Sequence, residues 1–217
     1  MKKLKVHEKF ISVNGEGPDC GKLVVFIRLA GCNLSCSYCD TQYACDAEIH
    51  TNSEETISEL VDYVLQTGVK RVTITGGEPL LQEAVPNLSS KLYDNGIEVT
   101  IETNGSFDIE KIRLECRVIM DYKLPSSGME SHMDLDNFYL LGPNEVVKFV
   151  CGSLEDLQRA YEISKQLTDN PSIYLSPVFG KIEPSEIVDF IKEKRWNDCT
   201  LQIQMHKVIW DPAERGV

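Results

Sequence analysis

Along the chain, apolar and polar positions switch between a period of two and a period near 3.6, and the switches mark the predicted elements. Val6 to Val13 alternates like a half-buried strand, and Leu23 to Leu29 is a near-continuous branched apolar run, as in a strand covered on both faces. Asn14-Gly15-Glu16-Gly17-Pro18 between them predicts a tight loop. Ser53 is the predicted cap of a helix with Glu54 and Glu55 in its first turn. Ile57, Leu60, Val61, Val64 and Leu65 share one face of that helix, and Gly68 stops it. The pattern then predicts a strand over 69–75, a helix over 83–95 ended by Gly96, a strand over 97–103, a short helix near 108–114 and a strand over 117–120. Strands over 145–151 and 172–178 flank a helix over 153–167, and a helix over 184–195 precedes a last strand over 200–205. His206, Lys207 and Trp210 lie beyond its end. The stretch 125–137 keeps no regular period, which suits a lid or a dimer contact.

Strands alternating with helices imply right-handed βαβ units and a parallel sheet, with roughly six units after the opening strand. The predicted fold is therefore α/β, an incomplete (β/α)6-type partial TIM barrel formed by residues 1–217 as one domain. Sites in such barrels are built at the C-terminal ends of the strands. The unusual residues gather at those positions: Cys32 to Thr41, Gly76 to Glu78, Thr103 to Gly105, Asp121 to Lys123, Ser176-Pro177 and His206.

Composition narrows the partners. A formal net charge of −12 over 217 residues disfavours nucleic acid, whose phosphates are bound by Lys and Arg replacing counterions. A small-molecule substrate is expected instead. No run approaches the roughly 18 apolar residues that span a bilayer, so no membrane role is expected. The first ten residues hold no apolar signal segment, so the eight cysteines point to a reducing, cytoplasmic setting rather than a disulfide scaffold.

Three of those cysteines, Cys32, Cys36 and Cys39, stand in a C-x3-C-x2-C spacing directly after the second strand. Thiolates so spaced can converge on one face of an iron–sulfur cube and leave one iron without a protein ligand, whereas a closed structural site takes four. The alternatives are a zinc knuckle completed by Cys45, His7 or His50, and an electron-transfer module, although simple electron transfer uses a fully ligated cluster. Cys20, Cys45, Cys116, Cys151 and Cys199 have no ligand spacing among themselves and read as packed thiols.

Gly76-Gly77-Glu78-Pro79 after a strand would alone be only a turn, but following the cysteine loop it resembles the glycine-rich segment of radical S-adenosylmethionine (SAM) enzymes. Gly15-Glu16-Gly17, Arg28, Cys39-Asp40-Thr41, Asp121 to Gly128 and Gln204 to Lys207 narrow the resemblance, end to end, to the 7-carboxy-7-deazaguanine synthase family. That family has Gln where this chain has Asn14. A glycyl-radical activating enzyme is the alternative of the same superfamily, and the Asp121 to Gly128 segment and His206 argue against it.

The resemblance implies a lyase of queuosine (7-deazapurine) biosynthesis. It would convert 6-carboxy-5,6,7,8-tetrahydropterin to 7-carboxy-7-deazaguanine with loss of ammonia, starting from hydrogen abstraction at C6 by the radical derived from SAM. It further implies a 4Fe-4S cluster on Cys32, Cys36 and Cys39 and a Mg2+ on Thr41. SAM would lie on Tyr38, Cys39, Asp40, Gly76, Gly77 and Glu78, and on Asp121, Tyr122, Lys123, Ser176 and Pro177. The pterin would lie on Val13, Asn14, Gly15, Glu16, Arg28, Thr75 and His206. A homodimer, and an electron donor such as flavodoxin or ferredoxin, are implied in the same way. Read physically, Arg28 inside the apolar run Val24 to Leu29 offers a carboxylate a bidentate fork, the other reading being a surface ion pair. Thr41 suits a hard cation or a turn, and His206 suits a hydrogen bond to the pterin, a proton shuttle or a structural role.

Overall fold

The computed structural model describes residues 2–112, 114–212 and 214–217. The chain opens with β1 (Lys3–Val13), which returns antiparallel as β2 (Leu23–Leu29). A short β3 (Ser53–Thr56) pairs antiparallel with the outer edge of β1, and α1 (Ile57–Thr67) follows. Next come β4 (Arg71–Gly76), α2 (Val85–Asp94), β5 (Glu98–Thr103), β6 (Arg117–Tyr122) and β7 (Val146–Cys151). The chain closes through α3 (Leu154–Ser164), β8 (Ser172–Pro177), α4 (Pro184–Lys194), β9 (Cys199–Leu201) and the single turn α5 (His206–Ile209). The sheet has nine strands among the described residues, in the order β3-β1-β2-β4-β5-β6-β7-β8-β9, and it is parallel from β2 onward. This is the expected partial barrel.

The helices lie on the outer face. Val25, Ile27 and Leu29 of β2, Val72 and Ile74 of β4 and Ile101 of β5 pack there against Leu60 and Val64 of α1 and Leu88 and Leu92 of α2. Each such side chain contributes about 1.5–3 kcal/mol by leaving water. The alternate residues of the same strands, Phe26 and Arg28, Thr75 and Glu102, face the barrel interior, as the strand period of two requires.

Three expectations are corrected, and the stretch 125–137 takes a defined form. Ser53 is not the cap of α1: residues 53–56 are drawn into the sheet, and Thr56 caps instead. Its hydroxyl accepts from Glu59 N–H at 3.3 Å, while Glu59 accepts from Thr56 N–H at 2.7 Å. Near 108–114 the described residues form turns, not a helix, and Arg113 lies outside them. There Asn137 accepts from Ile109 N–H and donates to Phe107 O, fixing a turn while Ile109 and Ile112 stay buried. The last strand stops at Leu201, because Gln202 turns to the loop after β1: its amide accepts from Gly17 N–H at 2.6 Å and donates to Gly17 O at 3.2 Å. The stretch 125–137 forms short 3-10 turns that brace the cysteine loop, with Ser37 N–H donating to Ser127 O at 3.1 Å and Ser37 Oγ to Ser126 O at 2.6 Å.

Candidate active site

A cavity of about 690 Å³ opens inside the barrel. One wall is the loop after β2. Its first residues are tied by Gly31 N–H to Ala44 O (2.7 Å) and Cys32 N–H to Cys45 O (2.8 Å), its middle by Tyr38 OH to Val150 O (3.2 Å). Cys32, Cys36 and Cys39 all line the cavity from this loop. Among the described residues no three Cys, His, Asp or Glu side chains close around a single metal ion. Burial raises the pKa of Cys36, and the Lys123 ammonium opposes it. Cys45 lines the same wall with its sulfur 3.9 Å from that of Cys39, and its thiol is pushed up to about 12, by burial first and then by Cys39 and Cys32.

Gly76 and Gly77 bring the end of β4 against this loop. A Cβ on Gly77 would lie 2.2 Å from Gly31 O, so only glycine permits the approach. Glu78 does not line the cavity. It is fully buried, accepting from Asn104 N–H (2.6 Å), Thr103 Oγ1 (2.8 Å) and Leu80 N–H (2.9 Å), and burial raises its pKa.

The loop after β1 enters from the opposite side. Glu16 accepts from Lys148 (3.3 Å) on β7 and from Ser176 Oγ (3.1 Å) on β8. Lys148 also stands 3.8 Å from Asp121, which pairs with Lys123 at 2.9 Å. Burial alone would depress the Lys148 ammonium, but Glu16, Asp121, Glu102 and Asp40 together outweigh it and raise its pKa. Arg28 donates through Nε to Glu8 at 2.7 Å, only 15% exposed, and its guanidinium stands 5.9 Å from the Tyr43 ring centroid. Tyr43 is shared with Arg215 of the C-terminal tail, 4.1 Å from that centroid. His206 sits against Gly15, where an added Cβ would lie 2.5 Å from its Nδ1. Burial lowers its pKa, so its imidazole is neutral near pH 7. The cavity thus joins three thiols to facing cations and carboxylates, which suits a metal cluster beside a polar, carboxylate-bearing ligand.

The Radical SAM superfamily matches residues 26–193. A 7-carboxy-7-deazaguanine synthase from Clostridium acetobutylicum is 50% identical over 98% of this chain and 99% of its own length. This chain belongs to the 7-carboxy-7-deazaguanine synthase family. A second member, from Methanospirillum hungatei JF-1, is 38% identical over 96% of this chain and 86% of its own. The crystal structure of QueE from Escherichia coli shares the fold with a TM-score of 0.73 and 25% identity, covering 94% of this chain and 95% of that one. The synthase family is a lyase family of radical SAM enzymes, which implies a 4Fe-4S cluster and SAM.

Against the residues that the synthase resemblance had named, the cavity gathers Val13, Asn14, Gly15, Glu16, Arg28, Thr75 and His206. It also gathers Tyr38, Cys39, Asp40, Thr41, Gly76, Gly77, Asp121 and Lys123, with Cys32 and Cys36. Glu78, Tyr122, Ser176 and Pro177 do not line it. Tyr122 points outward, its ring against Phe138 and Phe149 and its hydroxyl on Glu130. Ser176 reaches the cavity through Glu16. Sequence reasoning missed Lys148 and Glu102. Each is a lone charge in an apolar strand, V-V-K-F-V and V-T-I-E-T, the same signal that singled out Arg28.

Proposed function

We propose that residues 1–217 act as one radical SAM domain converting 6-carboxy-5,6,7,8-tetrahydropterin to 7-carboxy-7-deazaguanine with release of ammonia, a step of queuosine biosynthesis. The observation that carries this reading is that Cys32, Cys36 and Cys39 share one cavity with Arg28, Glu16 and His206. Cys32, Cys36 and Cys39 would hold the 4Fe-4S cluster; with SAM bound beside it, the cluster supplies the one-electron chemistry that yields the hydrogen-abstracting radical.

The chain's own residues bind and orient. Arg28 offers its two terminal guanidinium nitrogens to the pterin carboxylate while Nε stays on Glu8. Glu16 and Glu102 accept from the amino and ring N–H groups of the pterin, and the neutral His206 imidazole hydrogen-bonds its edge. Asn14, Val13 and Gly15 contribute backbone groups, and Thr75 holds Glu102 through a 3.0 Å hydrogen bond. Gly76, Gly77, Tyr38, Asp40, Asp121 and Lys123 face the SAM side. Thr41 offers its hydroxyl to a Mg2+ shared with the substrate, a cation that keeps most of its waters and takes few protein oxygens. Holding the reacting carbon of the pterin within near-attack distance is the main task of these groups. The enzyme works as a cytoplasmic homodimer with a flavodoxin or ferredoxin as electron donor. No helix among the described residues is long and apolar enough to cross a membrane.

The test is turnover by anaerobically reconstituted protein with the carboxytetrahydropterin, SAM, Mg2+ and a strong reductant. The expected result is 7-carboxy-7-deazaguanine and ammonia in equal amounts, with many products formed per SAM lost. Reductive SAM cleavage without either product would overturn the substrate assignment.

A further inference from the structure

The cavity divides into a side that faces the pterin, at Glu16, and a side that faces SAM, at Asp121. One ammonium stands between them. Lys148 projects from the middle of β7 with 8% of its surface exposed, 3.3 Å from Glu16 Oε2 and 3.8 Å from Asp121 Oδ2. The first distance is a hydrogen bond; the second is too long for one. Asp121 is correspondingly under-supplied: Oδ2 has Lys123 at 2.9 Å, and Oδ1 is buried with no hydrogen-bond partner. Glu16 is over-supplied by comparison, with Ser176 at 3.1 Å and Gln204 at 3.5 Å besides Lys148.

We propose that Lys148 is a positioning residue that couples the two ligand sites, so that binding of the carboxytetrahydropterin tightens binding of SAM. This rests on the assignment of the cavity to those two ligands. A pterin N–H donor arriving at Glu16 takes over the role of the Lys148 ammonium there. The ammonium, with three protons and a flexible stem, then closes the gap to Asp121 Oδ2 and gives that carboxylate a second ammonium partner. Asp121, held by two ammonium groups instead of one, is fixed in the position from which it meets SAM. The element with two arrangements is the Lys148 side chain, and each ligand biases it in the same direction. Burial among Glu16, Asp121, Glu102 and Asp40 keeps the ammonium charged throughout, in agreement with its raised pKa.

The test measures equilibrium SAM binding to the reconstituted holoenzyme under anaerobic conditions with no reductant, so that no turnover occurs, with and without saturating carboxytetrahydropterin. In the wild type the pterin is expected to lower the SAM Kd by about fivefold or more, and SAM to lower the pterin Kd by the same factor. In Lys148→Met, with both ligands still binding, that factor falls below about twofold, under the lower edge of ordinary coupling. A merely structural lysine would weaken both affinities and leave their ratio of liganded to unliganded values intact. A wild-type factor of one, or a wild-type factor in Lys148→Met, overturns the coupling. Lys148→Gln replaces Lys148→Met if the latter does not fold, and a wild-type factor of one overturns the coupling with or without a variant. Absence of any pterin binding to the wild type would instead sink the substrate assignment, and the coupling with it.

Discussion

Gly77 offers the sharpest perturbation, because its neighbours are backbone and cannot turn aside. A Cβ placed there lies 2.2 Å from Gly31 O, 2.6 Å from Gly31 C and 2.8 Å from Cys32 Cβ. Ordinary contact between nonbonded carbon and oxygen needs about 3.4 Å, so Gly77→Ala must part the two segments by about 1 Å. Gly77 does not adopt a positive φ, so the cost is steric. The same displacement stretches the Glu78 N–H to Gly31 O hydrogen bond, now 2.8 Å, beyond useful length. Overpacking of about 1–3 kcal/mol plus about 1 kcal/mol for the lost bond gives a destabilisation of about 2–4 kcal/mol. Because Gly31 precedes Cys32 in the chain, the movement also carries the Cys32 thiol off the cavity wall. The assay is chemical denaturation of the cluster-free protein beside iron and sulfide content after anaerobic reconstitution. Gly77→Ala is expected to shift the unfolding midpoint downward and to lose most of its iron, whereas Gly96→Ala, whose Cβ would meet nothing within 4 Å, pays only for its positive φ and keeps its iron. Wild-type stability and iron content in Gly77→Ala would refute the close-approach argument.

Cys36→Ala is expected to lose the cluster after reconstitution, while Cys45→Ala, despite its sulfur lying 3.9 Å from that of Cys39, keeps it; iron retained by the first and lost by the second would reverse the assignment. Arg28→Ala and Arg28→Lys should lower catalytic efficiency by about ten- to hundredfold, since a charge-assisted hydrogen bond is worth about 1.5–3 kcal/mol, and should uncouple SAM cleavage from product. Equal product per SAM cleaved in wild type and Arg28→Ala would remove Arg28 from substrate positioning. Thr41→Ala is expected to change the response of turnover to added Mg2+, and an unchanged response would leave Thr41 with a structural role alone. Thr56→Ala removes the cap of α1 and should lower the melting temperature by about 2–4 °C with kinetics intact; an unmoved melting temperature would show that the cap contributes nothing.

How much of this was legible in the sequence depended on whether the signal was local. The strand that runs into the cysteine loop and the glycine pair after β4 announced themselves, because their residue types are tied to chemistry or to close backbone approach. The cap of α1 was misplaced because Ser53-Glu54-Glu55 and Thr56-Ile57-Ser58-Glu59 both read as helix starts. Pairing of Leu4 with Glu55 and Lys5 with Glu54 decided between them, and no window of sequence contains it. Within Asp121-Tyr122-Lys123 the family motif names all three residues, yet a strand sends neighbours to opposite faces. Asp121 and Lys123 meet the cavity and Tyr122 the outer core, a distinction the period of two already contained. Lys148 and Glu102 were legible by the argument applied to Arg28, that a lone charge in a doubly covered strand needs a partner.

The link between the two ends of the sheet was not legible at all, and it explains why the Glu16 side of the cavity is assembled from both ends of the chain. Seven parallel strands run from β2 to β9, and antiparallel β1 takes the other edge of β2, so the first and last of the seven do not pair with each other. The gap is filled by the loop after β1: Gly17 exchanges two hydrogen bonds with the Gln202 amide, and Met205 N–H donates to Gly15 O at 3.2 Å. A buried amide that satisfies a backbone N–H and C=O on another segment stands in for a rung of the missing strand pair. The tip of the loop after β1 is therefore held both within the β1–β2 connection, by Asn14 N–H to Lys22 O, and by the end of the chain, whereas the cysteine loop is held by contacts with its own residues, with the segment after β6 and with the end of β7. The two halves of the site thus rest on different parts of the chain, and the charges of Glu16, Lys148 and Asp121 form the bridge where those halves meet.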